Sequence, residues 1–161
     1  MPTPRFVLIH GAYHGAWCWE RLIPLLTARG GEVAAPDLPG HGVDTTPSAD
    51  LSLTLYAEHV AAVVRAQGGP VTLVGHSMAG AVIAEAAERV PDLISRLVYL
   101  TAYMPGDGES IVDWARRDGD TRAGARKVDY DGVPCLTVDR ETTWDAFYQD
   151  APEEDLDWVF P

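Results

Sequence analysis

Val71-Thr72-Leu73-Val74-Gly75-His76-Ser77-Met78-Ala79-Gly80 is the stretch from which the rest of the chain can be read. Val71 to Val74 is a short, continuous apolar run of the kind that forms a strand buried on both faces, as in a parallel sheet. An alanine-rich segment over residues 77–90 follows with helical composition, and Pro91 stands just beyond it. A serine at such a strand-to-helix turn fits a nucleophile elbow, where small residues at −2 and +2 let the backbone bend sharply and lift Oγ above the sheet. Gly75 and Ala79 meet that size requirement, Ala79 at the expense of a methyl's clearance, and Gly80 follows it. A serine in this place could also be a plain helix N-cap. The glycine before it, the small residue after it and a matching loop near the N-terminus favour the nucleophile.

Working outward, Phe6 to Ile9 is a second buried run, broken at His10-Gly11. Trp19, Leu22, Ile23 and Leu26 fall at helical spacing up to Gly30-Gly31, and Pro24 predicts that this helix begins late, since proline is tolerated in a first turn. Glu32 to Ala35 reads as a strand closed by the turn-rich Pro36-Asp37-Leu38-Pro39-Gly40-His41-Gly42. Tyr56, Val60, Val63 and Val64 mark an amphipathic helix ended by Gly68-Gly69-Pro70, and Leu97 to Leu100 supplies a fourth strand. The alternation βαβαβαβ specifies an α/β fold with an open, mostly parallel sheet.

The elbow places Ser77 at a helix N-terminus, where free N–H groups and the helix dipole favour developing negative charge. The Met78 N–H is one expected oxyanion donor. The loop after the first strand should supply the second, through the Ala12 N–H, with Gly11 and His76 lining the substrate side. Among the histidines His10, His14, His41, His59 and His76, none has a clear claim to be the general base. His10 and His14 stand four apart but are separated by glycine and lie off any helix, which argues against zinc; no metal and no cofactor are expected. Ala81 and Val82 stand where a phosphate-binding loop needs Lys and Ser or Thr, and no dinucleotide fingerprint occurs.

The 161 residues suffice for one domain with a real core, and 47% hydrophobic against 22% charged residues excludes a disordered class. A formal charge of −12 repels phosphate backbones and anionic lipid, so neither nucleic acid nor membrane is expected as a partner. Cys18 and Cys135 are too few for a disulfide framework and read as free thiols. The N-terminus shows no secretory h-region and no stretch reaches membrane-spanning length, so a cytoplasmic location is the default expectation.

Three motifs together, His10-Gly11-Ala12-Tyr13-His14-Gly15-Ala16-Trp17-Cys18-Trp19, Ala35-Pro36-Asp37-Leu38-Pro39-Gly40-His41-Gly42 and Gly75-His76-Ser77-Met78, resemble the methylesterase and hydroxynitrile-lyase branch of the α/β-hydrolases. The likeness continues through the stretch from Leu97 to Ser110 and into Phe147-Tyr148-Gln149-Asp150. It implies an α/β-hydrolase core in residues 1–102 and a truncated cap in residues 103–161, where glycines punctuate a charged stretch, Val133 to Val138 suggests a strand and Trp144 to Tyr148 a helix. It also implies that the catalytic aspartate and histidine lie beyond position 161; a sheet cut after its fourth strand exposes an apolar edge, so self-association is expected unless a complementary C-terminal chain covers it. Gly11 stands where the lyases of the branch carry threonine, which makes hydrolysis of a small carboxylic ester, with an acyl-enzyme on Ser77, the leading expectation. A catalytically silent small-molecule binding protein is the main alternative, and a hydroxynitrile lyase the weaker one.

Overall fold

A computed structural model describes residues 2–118, 125–130 and 132–159, which belong to two compact units, 1–111 and 112–161. In the first unit, strands β1 (Arg5–Ile9), β2 (Glu32–Ala34), β3 (Val71–His76) and β4 (Ile94–Leu100) form one parallel sheet in the order β2-β1-β3-β4. The expected strands are all present, β3 and β4 being longer than their apolar runs. Hydrogen bonding carries β3 on through Gly75 and His76, opposite Tyr99 and Leu100, although these residues lack a strand-like composition.

The helices between the strands follow the apolar spacing. In α2 (Leu53–Ala66), Ala57, Val60, Ala61 and Val64 fall at helical spacing and are buried, while Ser52 caps the first turn by accepting the Leu55 N–H at 3.1 Å. Helix α3 (Ala79–Arg89) buries Ala79, Val82, Ile83 and Ala86 in one cluster with Val7, Ile9, Leu73 and Leu38. Each Val, Leu or Ile side chain so buried contributes about 1.5–3 kcal/mol relative to exposure. The late start predicted from Pro24 is observed: a tight 3-10 turn covers Ala16–Trp19, and α1 spans only Ile23–Thr27 with Pro24 in its first turn.

Strand order places the site. Going from β1 to β2 the chain moves to one side of β1, and β3 then returns on the other, so the crevice beyond the carboxyl ends of β1 and β3 is a topological switch point. Ile9 pairs with Gly75. The loop leaving β1 therefore emerges level with the turn that carries Ser77.

The second unit is built differently. All but the first residue of helix α4 (Ile111–Asp118) belongs to it, and β5 (Arg126–Tyr130) and β6 (Val133–Thr137) form an antiparallel hairpin with Val128 opposite Cys135. Helix α5 (Arg140–Thr143), capped by Asp139 accepting the Thr142 N–H at 2.9 Å, runs on into a wider π turn at Trp144–Tyr148, and α6 covers Leu156–Val159. The expected strand and helix are thus present, while β5 has no counterpart in the sequence reading because Arg126-Lys127-Val128-Asp129-Tyr130 has a single aliphatic residue. Gly119 and Gly124, two of the glycines that punctuate this stretch, lie outside the described residues. No described helix is long and apolar enough to cross a membrane.

Candidate active site

Ser77 lies between β3 and α3 with φ +53°, a left-handed backbone that costs a non-glycine residue about 1–3 kcal/mol and persists only when its surroundings impose it. Three backbone hydrogen bonds impose it here. The Ser77 N–H donates to the Leu100 carbonyl at 3.4 Å, and the Ser77 carbonyl accepts the Gly80 N–H at 3.0 Å and the Tyr103 N–H at 3.1 Å. The chain turns back between Leu100 and Tyr103 at Thr101, itself at φ +41°. The end of β4 and the residues after it therefore clamp the turn on two sides.

Glycine is required at −2, where an added Cβ would meet the Ala79 carbonyl oxygen at 2.8 Å. At +2 the requirement is relaxed, since the Ala79 methyl packs into the core. The tight position on the helix side is Gly80, where a Cβ would run into the Tyr103 carbonyl oxygen. The size rule applied to the sequence stops at +2 and misses this. The signal was the glycine standing directly after Ala79.

The loop from β1 reaches the same place. A Cβ on Gly11 would lie 3.0 Å from Ser77 Cβ and 3.1 Å from His76 Nδ1, so Gly11, His76 and Ser77 converge. Ala12 follows Gly11 and Met78 follows Ser77, which brings the two predicted donor segments to one end of the sheet.

The histidines divide by their bonding. His10 is fully buried, and its Nε2 accepts the Leu38 N–H at 3.0 Å, so Nδ1 must carry the proton that it donates to the Gly11 carbonyl at 2.8 Å. Burial pushes its pKa down to about 4, with the Gly11 hydrogen bond opposing. The Gly11 carbonyl and the Ala12 N–H belong to one trans peptide, so this bond fixes the direction of the Ala12 donor. His14 Nδ1 contacts the Ala12 carbonyl at 2.8 Å, and burial holds its pKa low. His76 meets Trp19 edge to face at 6.5 Å and is held low by burial and by His14. His41 contacts the Pro39 carbonyl through Nδ1 at 3.0 Å, and His59 lies on α2. No described residue hydrogen-bonds the Ser77 hydroxyl, and none of the histidines is placed as its base. Among the described residues no group of three His, Cys, Asp or Glu side chains could hold a metal.

What the site offers chemically is a half-buried serine on a clamped, left-handed turn at a helix start, with Gly11 of the loop after β1 against it. A model of the alpha/beta hydrolase family matches residues 6–161. Methylesterase 2 of Arabidopsis thaliana is 46% identical over 105 residues, covering 63% of this chain and 40% of the relative. Methylesterase 8 of Arabidopsis thaliana is 34% identical over 160 residues, covering 98% of this chain and 59% of the relative. The crystal structure of polyneuridine aldehyde esterase superposes with a TM-score of 0.83 at 26% identity, covering 97% of this chain and 66% of that one. The chain thus spans roughly two fifths to three fifths of the length of these methylesterases.

Proposed function

The chain belongs to the alpha/beta hydrolase family, and from that premise we propose that it carries the nucleophile and oxyanion half of a serine esterase acting on a small carboxylic ester. Methyl esters are the first class to test, because similar chains are methylesterases. Ser77 Oγ bonds to the ester carbonyl carbon, the bond from that carbon to the alkoxy oxygen breaks, and the serine proton leaves with the alcohol. Water then adds to the acyl carbon, releasing the acid and restoring the hydroxyl. The Ala12 and Met78 N–H groups stabilise the oxyanion in both steps, while Gly11 and His76 border the bound acyl group. The base that moves the protons is assigned to a second polypeptide: another copy of this chain when it stands alone, or a complementary C-terminal chain.

One observation carries this reading: Ser77 is held at φ +53° by backbone hydrogen bonds from the end of β4, from Tyr103 beyond it and from Gly80 in α3, with Gly11 packed against its Cβ. The lack of a hydrogen bond to the Ser77 hydroxyl among the described residues favours a second reading, a small-molecule binding protein with a silent site. Steady-state hydrolysis of a panel of small methyl esters, run beside Ser77→Ala, separates the two. Turnover lost in Ser77→Ala supports the esterase. Calorimetric binding of the same esters without turnover, unchanged in Ser77→Ala, supports the binding protein.

A further inference from the structure

We propose that Asp37 is a positioning residue for the oxyanion loop: its carboxylate, with the neighbouring Leu38 amide, holds residues 10–16 in the shape that presents the Ala12 N–H. The proposal rests on the esterase reading of Ser77 and gives a task to the Pro36–Gly42 segment, which that reading leaves unused.

The loop from His10 to Ala16 is fastened at both ends by two successive residues. At its start the Leu38 N–H donates to His10 Nε2 at 3.0 Å; at its end the Ala16 N–H donates to Asp37 Oδ1 at 2.6 Å. The second carboxylate oxygen, Oδ2, accepts the Val43 N–H at 3.1 Å, so Asp37 also ties down its own turn. The two backbones are in close apposition around the carboxylate. A Cβ at Gly15 would lie 2.7 Å from Asp37 Oδ1 and 3.0 Å from the Gly42 Cα, and a Cβ at Gly42 would collide with the carboxylate itself. A carboxylate accepting two backbone N–H groups forms charge-assisted bonds stronger than neutral ones.

Between the fastened ends, Tyr13 sits at φ +65°, a left-handed conformation that a tyrosine does not adopt unless both flanks are fixed. The Ala12 peptide lies one residue before that strained position and is aimed through the His10 bond to Gly11. Releasing the Ala16 end would let Tyr13 relax and turn the Ala12 N–H away. A misplacement of about an ångström is enough to cost on the order of 100-fold in rate.

The test uses the full chain, with a fluorophosphonate as probe of Ser77 and amide hydrogen exchange of Gly11, Ala12 and Tyr13 read by nitrogen-15 NMR. The variants are Asp37→Asn, Asp37→Ala and Gly42→Ala, with the β3 amides as control for folding. In Asp37→Ala the limiting rate of bond formation with Ser77 should fall about 10- to 100-fold while the reversible binding constant of the probe holds. The Ala12 and Tyr13 amides should exchange faster while β3 stays protected. Asp37→Asn, which keeps one acceptor oxygen for the Ala16 N–H, should fall between. If Asp37→Ala fails to fold, Asp37→Asn and Gly42→Ala carry the comparison. Unchanged labelling and unchanged Ala12 exchange in a folded variant would overturn the proposal. Should the unaltered chain not label at all, no base reaches Ser77 and the esterase reading fails for this chain on its own, while the exchange data still decide whether Asp37 holds the loop.

Discussion

The two units differ in how their apolar residues are spent. In residues 1–111 a parallel sheet and two helices enclose a continuous cluster of fully buried side chains, among them Val7, Ile9, Leu73 and Ile83. In residues 112–161 only Thr143 and Val159 are buried among the described residues, while Tyr130, Leu136 and Phe147 stay exposed. The first unit therefore has the means to impose strain, and it does so at Tyr13, Ser77 and Thr101, all beyond the carboxyl ends of its strands. The second has no positive φ outside glycine among its described residues. A well-buried core is what can hold such turns in a strained backbone.

The largest effect that would sharpen this contrast is truncation of the core. Ile83→Ala should lower the free energy of unfolding by about 2–5 kcal/mol, whereas Leu136→Ala should change it by less than about 0.5 kcal/mol, both read by urea denaturation. Equal losses would break the comparison.

Acid should act nearly as strongly, and through the first unit. Burial places the His10 pKa at about 4 in the folded chain against 6.5 for a free histidine, so the unfolded chain binds the proton more readily between those values. The contribution of neutral His10 is complete above 6.5 and is lost as pH falls through this window, about 3 kcal/mol in all. His14 and His76, both held low, add losses of the same sign. A His10→Gln variant should show a flatter stability profile between pH 7 and pH 4; an identical profile would refute the assignment.

Smaller effects follow at single groups. Ser52→Ala removes the acceptor for the Leu55 N–H and should cost about 1 kcal/mol without altering reactivity at Ser77. Burial pushes the Cys18 thiol up to about 12, so native-state alkylation of Cys18 at neutral pH should be slow and accelerate on unfolding.

Much of the first unit was legible because its signals are local. Buried parallel strands read as unbroken apolar runs, Pro24 marks a helix start, and Gly75-His76-Ser77 marks the turn. What was not legible depends on partners distant in sequence. The need for glycine at position 80 comes from the Tyr103 carbonyl, and the role of Asp37 comes from the Ala16 amide, 21 residues away. The extension of β4 back to Ile94 rests on pairing with Val71 rather than on its own composition, Ser95 and Arg96 being exposed. The second unit was least legible since a solvated hairpin and a short helix leave little apolar periodicity to read. Its β5 was missed for that reason.

The account turns on Ser77 being a nucleophile poised at a strained turn. The most direct measurement is incubation of the folded chain with a serine-directed fluorophosphonate, followed by peptide mass mapping, with Ser77→Ala alongside. The account predicts a single adduct on Ser77 that is absent from the variant. A folded chain with no adduct at Ser77, or with equal labelling of other serines, would contradict it.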